Sequence, residues 1–269
     1  MESTPLHARV AAVRPVAPYV GGKRNLAGRL VKLIESVPHE IYAEPFVGMG
    51  GVFLRRTSRP KAEVINDWSR DVATLFRVLQ RHYVAFLEMI RFQLTTRSEF
   101  ERLTAVDPDT LTDLERAARF LYLQRNAFGG KVVGRNFAMG DPTRGARFDV
   151  TRIAPMLEDL HARLAGVVIE RLPFDRFVSR YDRPGTLFYC DPPYWGAEDY
   201  YGAEVFSRED FTRLRDSLAS IRGRFILSIN DTPGVRDLFG GFQIEPVSVI
   251  YSVQAAGSQA VGELIISGP

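Results

Sequence analysis

The chain has 269 residues, 45% hydrophobic and 25% charged, the balance of a globular protein with a sizeable core. Lys and Arg number 35 against 32 Asp and Glu, and the pI of 9.1 leans toward polyanionic partners without requiring one. The single cysteine, Cys190, excludes an internal disulfide or a cysteine-built zinc site, and no run approaches the ~18 apolar residues of a membrane span. With no apolar signal core near Met1 either, a soluble cytoplasmic protein is expected.

In chain order, residues 24–36 place Leu26, Leu30, Leu33 and Ile34 on one face of a helix. IYAEPF then reads as a strand, followed by the glycine-rich VGMGG, a helical GVFLRR and a second strand, AEVIND, ending on Asp67. This is the rhythm of a parallel sheet with crossover helices. From about 69 to 92 and from 112 to 126 the pattern is helical. Thr112 and Glu115 there form a capping box, with Leu114, Ala117, Ala118 and Leu121 behind it. GGKVVGRNFAMGDPTRGARFD follows, glycine-broken and hairpin-like. After residue 160 strands alternate with helices again: GVVIERL, TLFYC, RFILSIN, FQIEPVSVIYSV and ELIIS, with SREDFTRLRDSLASI helical between them. One α/β sheet with a mainly helical insertion is expected.

Two glycine stretches invite phosphate or dinucleotide readings. PYVGGKRN has Ala17 and Arg24 where a P-loop requires glycine and Ser/Thr, so that reading fails. FVGMGGVF supplies Gly48 and Gly50 of a dinucleotide fingerprint, but Phe53 replaces the third glycine. A nucleoside-type cofactor still suits a glycine turn followed by Asp67 at the next strand tip, although Asp67 could equally cap the following helix. FYCDPPYWG places Asp191 at the end of a buried run, then two prolines that stop a strand and two aromatics. It is either a site or a strand terminus whose aromatics fold back onto the core. Between 125 and 153, Arg125, Lys131, Arg135, Arg144, Arg147 and Arg152 face only Asp141 and Asp149, either a phosphate-contacting surface or a solvated loop. Cys190 lies in an apolar run with nothing to lower its pKa, so a structural role is preferred to that of a cytosine-attacking nucleophile.

Taken together, Tyr19-Val20-Gly21-Gly22-Lys23, Glu44 to Gly51, Asp67, and Asp191-Pro192-Pro193-Tyr194 resemble the Dam-type (D12 class) DNA adenine N6-methyltransferases. FLYLQRNAFGG, SINDTPGVRDLF and GELIISG extend the similarity along almost the whole chain. The resemblance implies a Rossmann-like methyltransferase sheet, with 1–72 and 162–269 catalytic and 73–161 a target-recognition insertion containing a hairpin. It implies S-adenosylmethionine as methyl donor and no metal. Its substrate is double-stranded DNA, read with site-specific or relaxed specificity, with a restriction endonuclease as a counterpart in the cell. By the same resemblance Tyr19, Lys23, Phe46, Gly48, Gly50, Asp67, Phe174, Asp175 and Asp191 contact the cofactor. Asp191, Pro192, Pro193 and Tyr194 act on a flipped adenine, and Arg125, Asn126, Lys131, Arg135 and Asn136 contact DNA. Some family members carry a base-contacting lysine where this chain has Pro18. RNA adenine, cytosine N4, or a catalytically silent DNA-binding relative are the alternatives.

Overall fold

The computed structural model describes residues 7–138, 140, 145–198, 206–253 and 257–269, with backbone alone over 249–253 and 257–261. β1 (Ala8–Arg9) pairs antiparallel with β3 (Ser58–Arg59) in a small flap. The main sheet contains β2 (Ile41–Glu44), β4 (Ala62–Asn66), β5 (Val168–Glu170), β6 (Thr186–Cys190), β7 (Arg224–Asn230), β8 (Gln243–Val253) and β9 (Gly257–Gly268). Its order is β5-β4-β2-β6-β7-β9-β8. The first five are parallel; β9 runs antiparallel to β7, and β8 to β9. The winding direction reverses between β2 and β6, and in such sheets the crevice at that reversal, beyond the strands' carboxyl ends, is where ligands bind.

Apolar clusters cover both faces of the sheet. Leu187 and Tyr189 of β6 enter one cluster, and Phe188 and Cys190 the other, which is why TLFYC is continuously apolar. The first cluster also takes Leu30 and Ile34 of α1 (Ala27–Ser36), while Leu33 is only partly covered. Between β4 and β5 come α2 (Arg70–Arg81), α3 (Tyr83–Ile90), α4 (Arg97–Ala105), α5 (Asp113–Asn126) and α6 (Val150–Leu164). Leu75, Leu79, Leu160 and Leu164 from this group share the cluster with Tyr42 and Ile65, so the helices and the sheet have one core. The Thr112–Glu115 capping box starts α5. On the other face lie α7 (Phe174–Tyr181), α8 (Arg208–Ala219) and α9 (Pro233–Leu238), with Phe177, Phe211, Leu214 and Val235 inward.

Two local expectations change. GVFLRR makes only a 3-10 turn over Phe53–Arg55. The hairpin after α5 reduces, among the described residues, to one bridge between Ala127 and Phe137, closed by Phe128 N–H to Asn136 O at 2.9 Å. Gly129, Gly130 and Gly134 take left-handed φ values there, which turn the chain away from a regular ladder. Met139 and residues 141–144, Asp141 and Arg144 among them, lie outside the described residues.

Candidate active site

Asp191 is the first residue beyond β6. Its Oδ1 lies 3.0 Å from Lys23 Nζ and accepts a 3.2 Å hydrogen bond from Ser228 Oγ of β7. Ser228 Oγ is in turn 2.8 Å from the Tyr189 hydroxyl. One-fifth of the Asp191 side chain stays exposed, whereas Lys23 is buried. Burial pushes the Asp191 carboxyl up to about 6; Lys23 opposes that shift and the Glu263 charge adds to it.

Lys23 arrives from a tight turn in which Gly22 N–H donates to Tyr19 O at 3.0 Å and Gly21 takes φ +73°. Its carbonyl then accepts from Leu26 and Ala27 as α1 begins. The ammonium also lies 3.2 Å from Glu263 Oε2 of β9, donates to the Tyr194 hydroxyl at 2.9 Å and sits 4.2 Å from that ring's centroid. Tyr194 donates its hydroxyl hydrogen to Glu263 Oε1.

Beyond Asp191, Pro192 and Pro193 are buried and lack amide hydrogens, so the ladder stops there. Asn230 then stands in for a strand. Its side-chain oxygen accepts from Trp195 N–H at 2.9 Å, and its amide donates to Trp195 O at 3.0 Å. Trp195 packs on Phe211 and against Gly234, where any Cβ would come within 2.6 Å of its ring. The two aromatics therefore part company: Trp195 folds onto the core, and Tyr194 joins the Lys23 cluster.

At the tip of β4, Asp67 accepts from Gly48 N–H and from Ser69 N–H, each at 2.9 Å. Ser69, and not Asp67, caps α2, its hydroxyl accepting from Val72 N–H. Burial raises the Asp67 carboxyl to about 6 against these two amides. Gly48 takes φ +51°, and a Cβ there would meet the Tyr19 ring at 3.1 Å. Gly50, at φ +73°, lies beneath the turn, where a Cβ would strike Leu54 at 2.8 Å.

Tyr19, Lys23, Glu44, Gly48, Asp67 and Asp191 line one cleft of about 1060 Å³. A smaller cavity of about 280 Å³ shares Phe46, Asp67 and Pro193 with it and is walled by Phe174 and Phe206. The Phe46 centroid is 5.6 Å from that of Phe174. Asp175 stands outside both linings and pairs with Arg213 at 2.5 Å. Burial pushes its carboxyl up, but bonds from Arg213 and the Arg176 amide outweigh that and leave it lowered.

The basic residues expected to meet DNA divide in two. Arg125 is half-buried, its guanidinium donating to Arg147 O at 2.9 Å and to Val16 O. Asn126 is buried and donates to Tyr122 O. Arg135 reaches Lys131 O at 3.3 Å and Gln124 Oε1 at 3.5 Å. Lys131 and Asn136 are exposed. Gln124 donates to Pro18 O and Gly130 O, and Val20 N–H to Gly130 O, which fastens the loop after α5 to the turn that carries Tyr19 and Lys23.

Residue types alone do not single out Glu44, Ser228, Asn230 or Glu263. Glu44 is buried at the end of β2, accepts from Tyr42 Oη at 2.6 Å, and burial raises its carboxyl well above the ordinary range. The detectable signal was an acidic residue inside an apolar strand, which needs a partner to be tolerated. Burial raises the Cys190 thiol far above its ordinary value, in keeping with a structural role. Among the described residues no cluster of three or more His, Cys, Asp or Glu could hold a metal ion, and no helix is long and apolar enough to cross a membrane.

The model of the D12 class N6 adenine-specific DNA methyltransferases matches residues 19–253. The type II methyltransferase M1.LlaDCHI of Lactococcus lactis subsp. cremoris is 26% identical, covering 95% of this chain and 95% of its own. The type II methyltransferase M.CviBI of Paramecium bursaria Chlorella virus NC1A is 22% identical over 86% of this chain and 88% of its own. The retron Ec67 DNA adenine methylase of Escherichia coli is 27% identical over 93% of this chain and 90% of its own.

Proposed function

The chain belongs to the D12 class of N6 adenine-specific DNA methyltransferases, and from that premise we propose that Asp191 and the Pro192 carbonyl hold the N6 amine of an adenine turned out of the duplex. N6 is a weak nucleophile because its lone pair is delocalised into the ring. To accept a methyl group it must pyramidalise and carry positive charge. A carboxylate accepting one N6 hydrogen and a rigid carbonyl accepting the other stabilise that charge with little reorganisation. The observation that carries the reading is the Asp191 carboxylate, fixed by Lys23 and Ser228 at the strand reversal with one face open to the cleft. Adenine inside a duplex cannot reach such a crevice, so the base is extruded and stacks on Tyr194.

The methyl donor in this reading is S-adenosylmethionine, whose sulfonium supplies an electrophilic methyl group. The residues suit it. Asp67 offers oxygens to both ribose hydroxyls, and the small cavity between Phe46 and Phe174 suits an adenine ring. The turn at Gly48, closed by Tyr19, suits the methionine portion. In this reading residues 1–72 and 162–269 form the catalytic part and 73–161 the target-recognition part, and the enzyme works on DNA in the cytoplasm.

The experiment is transfer of label from tritiated S-adenosylmethionine to DNA, to RNA or to neither, followed by nucleoside analysis. N6-methyladenine in DNA is expected. Label in RNA alone or in N4-methylcytosine would overturn the substrate reading. Methylome sequencing of a methylation-free host expressing the protein gives the recognition site, or its absence.

A further inference from the structure

Glu263 is a carboxylate for which the reaction as described has no task. It belongs to β9, opposite Asn230 of β7 in the antiparallel register. A strand running the other way therefore delivers it to the same rim of the sheet as Asp191. Its side chain is fully buried. Oε2 lies 3.2 Å from Lys23 Nζ, and Oε1 accepts the Tyr194 hydroxyl hydrogen. Among the described residues Lys23 thus has three partners on two elements: Asp191 at 3.0 Å and the Tyr194 hydroxyl at 2.9 Å on the loop after β6, and Glu263 at 3.2 Å on β9.

A buried ion pair is a poor stabiliser compared with apolar residues of the same volume. Its retention here has a better explanation in what it orients. Two carboxylates share one ammonium, so with both ionised the cluster has one negative charge in excess beside the position where N6 becomes cationic. With Glu263 neutral, Lys23 would cancel the Asp191 charge and the attraction to the transition state would fall. The Tyr194 hydroxyl, held between Lys23 and Glu263, fixes the ring beside the catalytic loop.

We infer that Glu263 is a positioning residue for methyl transfer, acting on Asp191 through Lys23 and on the base-stacking ring through the Tyr194 hydroxyl. The inference rests on Asp191 as the N6 acceptor. The groups that set the charge at Asp191 are Lys23 before α1, Glu44 of β2, Tyr189 of β6, Ser228 of β7 and Glu263 of β9.

The test compares Glu263→Gln, Tyr194→Phe and Asp191→Ala with the wild-type enzyme. It reads kcat, KM for duplex DNA, S-adenosylhomocysteine affinity by calorimetry and the pH dependence of kcat/KM. Glu263→Gln is expected to lower kcat about tenfold or more, with KM and cofactor-product affinity changed less than about threefold. Its acidic limb should move to lower pH, because Asp191 then has Lys23 without a competing carboxylate; a space-filling role would leave that limb in place. Tyr194→Phe is expected to lower kcat with the limb unmoved. Glu263→Gln with unchanged kcat and an unmoved limb would overturn the inference. Should Glu263→Gln not fold, a normal kcat in Tyr194→Phe overturns it instead. An inactive Asp191→Ala beside a normal Glu263→Gln sinks this inference alone, whereas a fully active Asp191→Ala removes the reading beneath it as well.

Discussion

The ammonium of Lys23 lies 3.0 Å from Asp191 Oδ1, so the turn that opens the first helix and the tip of the central strand meet at one charge. Because Lys23 also has Glu263, removing Asp191 does not leave a buried ammonium unpaired. Asp191→Ala should therefore fold and bind S-adenosylhomocysteine nearly as the wild type does. Its kcat should fall by roughly a hundredfold or more, the scale of losing one preorganised electrostatic partner. Near-normal turnover would move the N6 acceptor elsewhere.

The same carboxylate sets an acidic limit. Burial raises Asp191 to about 6 from 3.8, and in the proposed function it is the ionised form that stabilises the charge developing on N6. The kcat/KM of the wild-type enzyme should fall about tenfold per pH unit below about 6 and be flat just above it. On stability the same group acts in the opposite direction. Between the unfolded value of 3.8 and about 6 the folded chain holds a proton that the unfolded chain lacks. This group therefore makes the ligand-free fold less stable as pH rises through that window, with no further change from it above. In thermal melts across pH 4–8, the stability of the wild type relative to Asp191→Asn should fall as pH rises from about 4 to about 6 and stay constant above that. A wild-type kcat/KM that stays flat down to pH 4.5 would count against the assignment.

Asp67 should act on affinity. Asp67→Ala loses the proposed acceptor for the ribose hydroxyls and leaves the amides of Gly48 and Ser69 without their carboxylate. A weakening of S-adenosylhomocysteine binding by about 1.5–3 kcal/mol is expected, the range for hydrogen bonds to a charged group. Since burial raises this carboxyl to about 6 as well, wild-type affinity should decline below that pH. Calorimetry at pH 5 and pH 7.5 reads both effects, and equal affinity in the variant would place the ribose elsewhere.

What the sequence disclosed follows from which contacts are local. Asp67 and Asp191 end apolar runs, so strand and site could be read from the same few residues. The parallel rhythm was legible because doubly covered strands such as TLFYC are apolar throughout. Glu263 was not legible, because its place at the rim depends on the antiparallel pairing of β9 with β7, a long-range event. Nor was α6, which carries Pro155 within it and buries Arg163 against Glu63 at 2.7 Å, a charge on what periodicity reads as a polar position. α4 gives little signal because only Phe100 is buried from it.

The charged residues after α5 make the last prediction, because the structure separates side chains that charge counting treats alike. Arg125 and Arg135 donate to the protein's own carbonyls and to Gln124, so their alanine variants should loosen the loop that is tied to the Tyr19–Lys23 turn. Lys131 is exposed and available to a phosphate. Arg14, Arg24 and Arg55 line the main cleft, and among the described residues none of them has an ion pair. Burial, then the charges of Arg24 and Arg14, lower the pKa of Arg55. Phosphate contacts give affinity without sequence information, each contributing about one unit to the salt slope of log K. Lys131→Ala, Arg14→Ala and Arg24→Ala should each weaken all duplexes alike and reduce that slope by about one unit. Arg125→Ala should instead lower the melting temperature and leave the slope unchanged. Titrations on two unrelated duplexes at several salt concentrations, paired with melts, separate these outcomes. A loss of about 1–3 kcal/mol on one duplex only would identify a base-reading side chain. If the three exposed cations leave both affinity and slope unchanged, the basic wall is a solvated surface and DNA is held elsewhere.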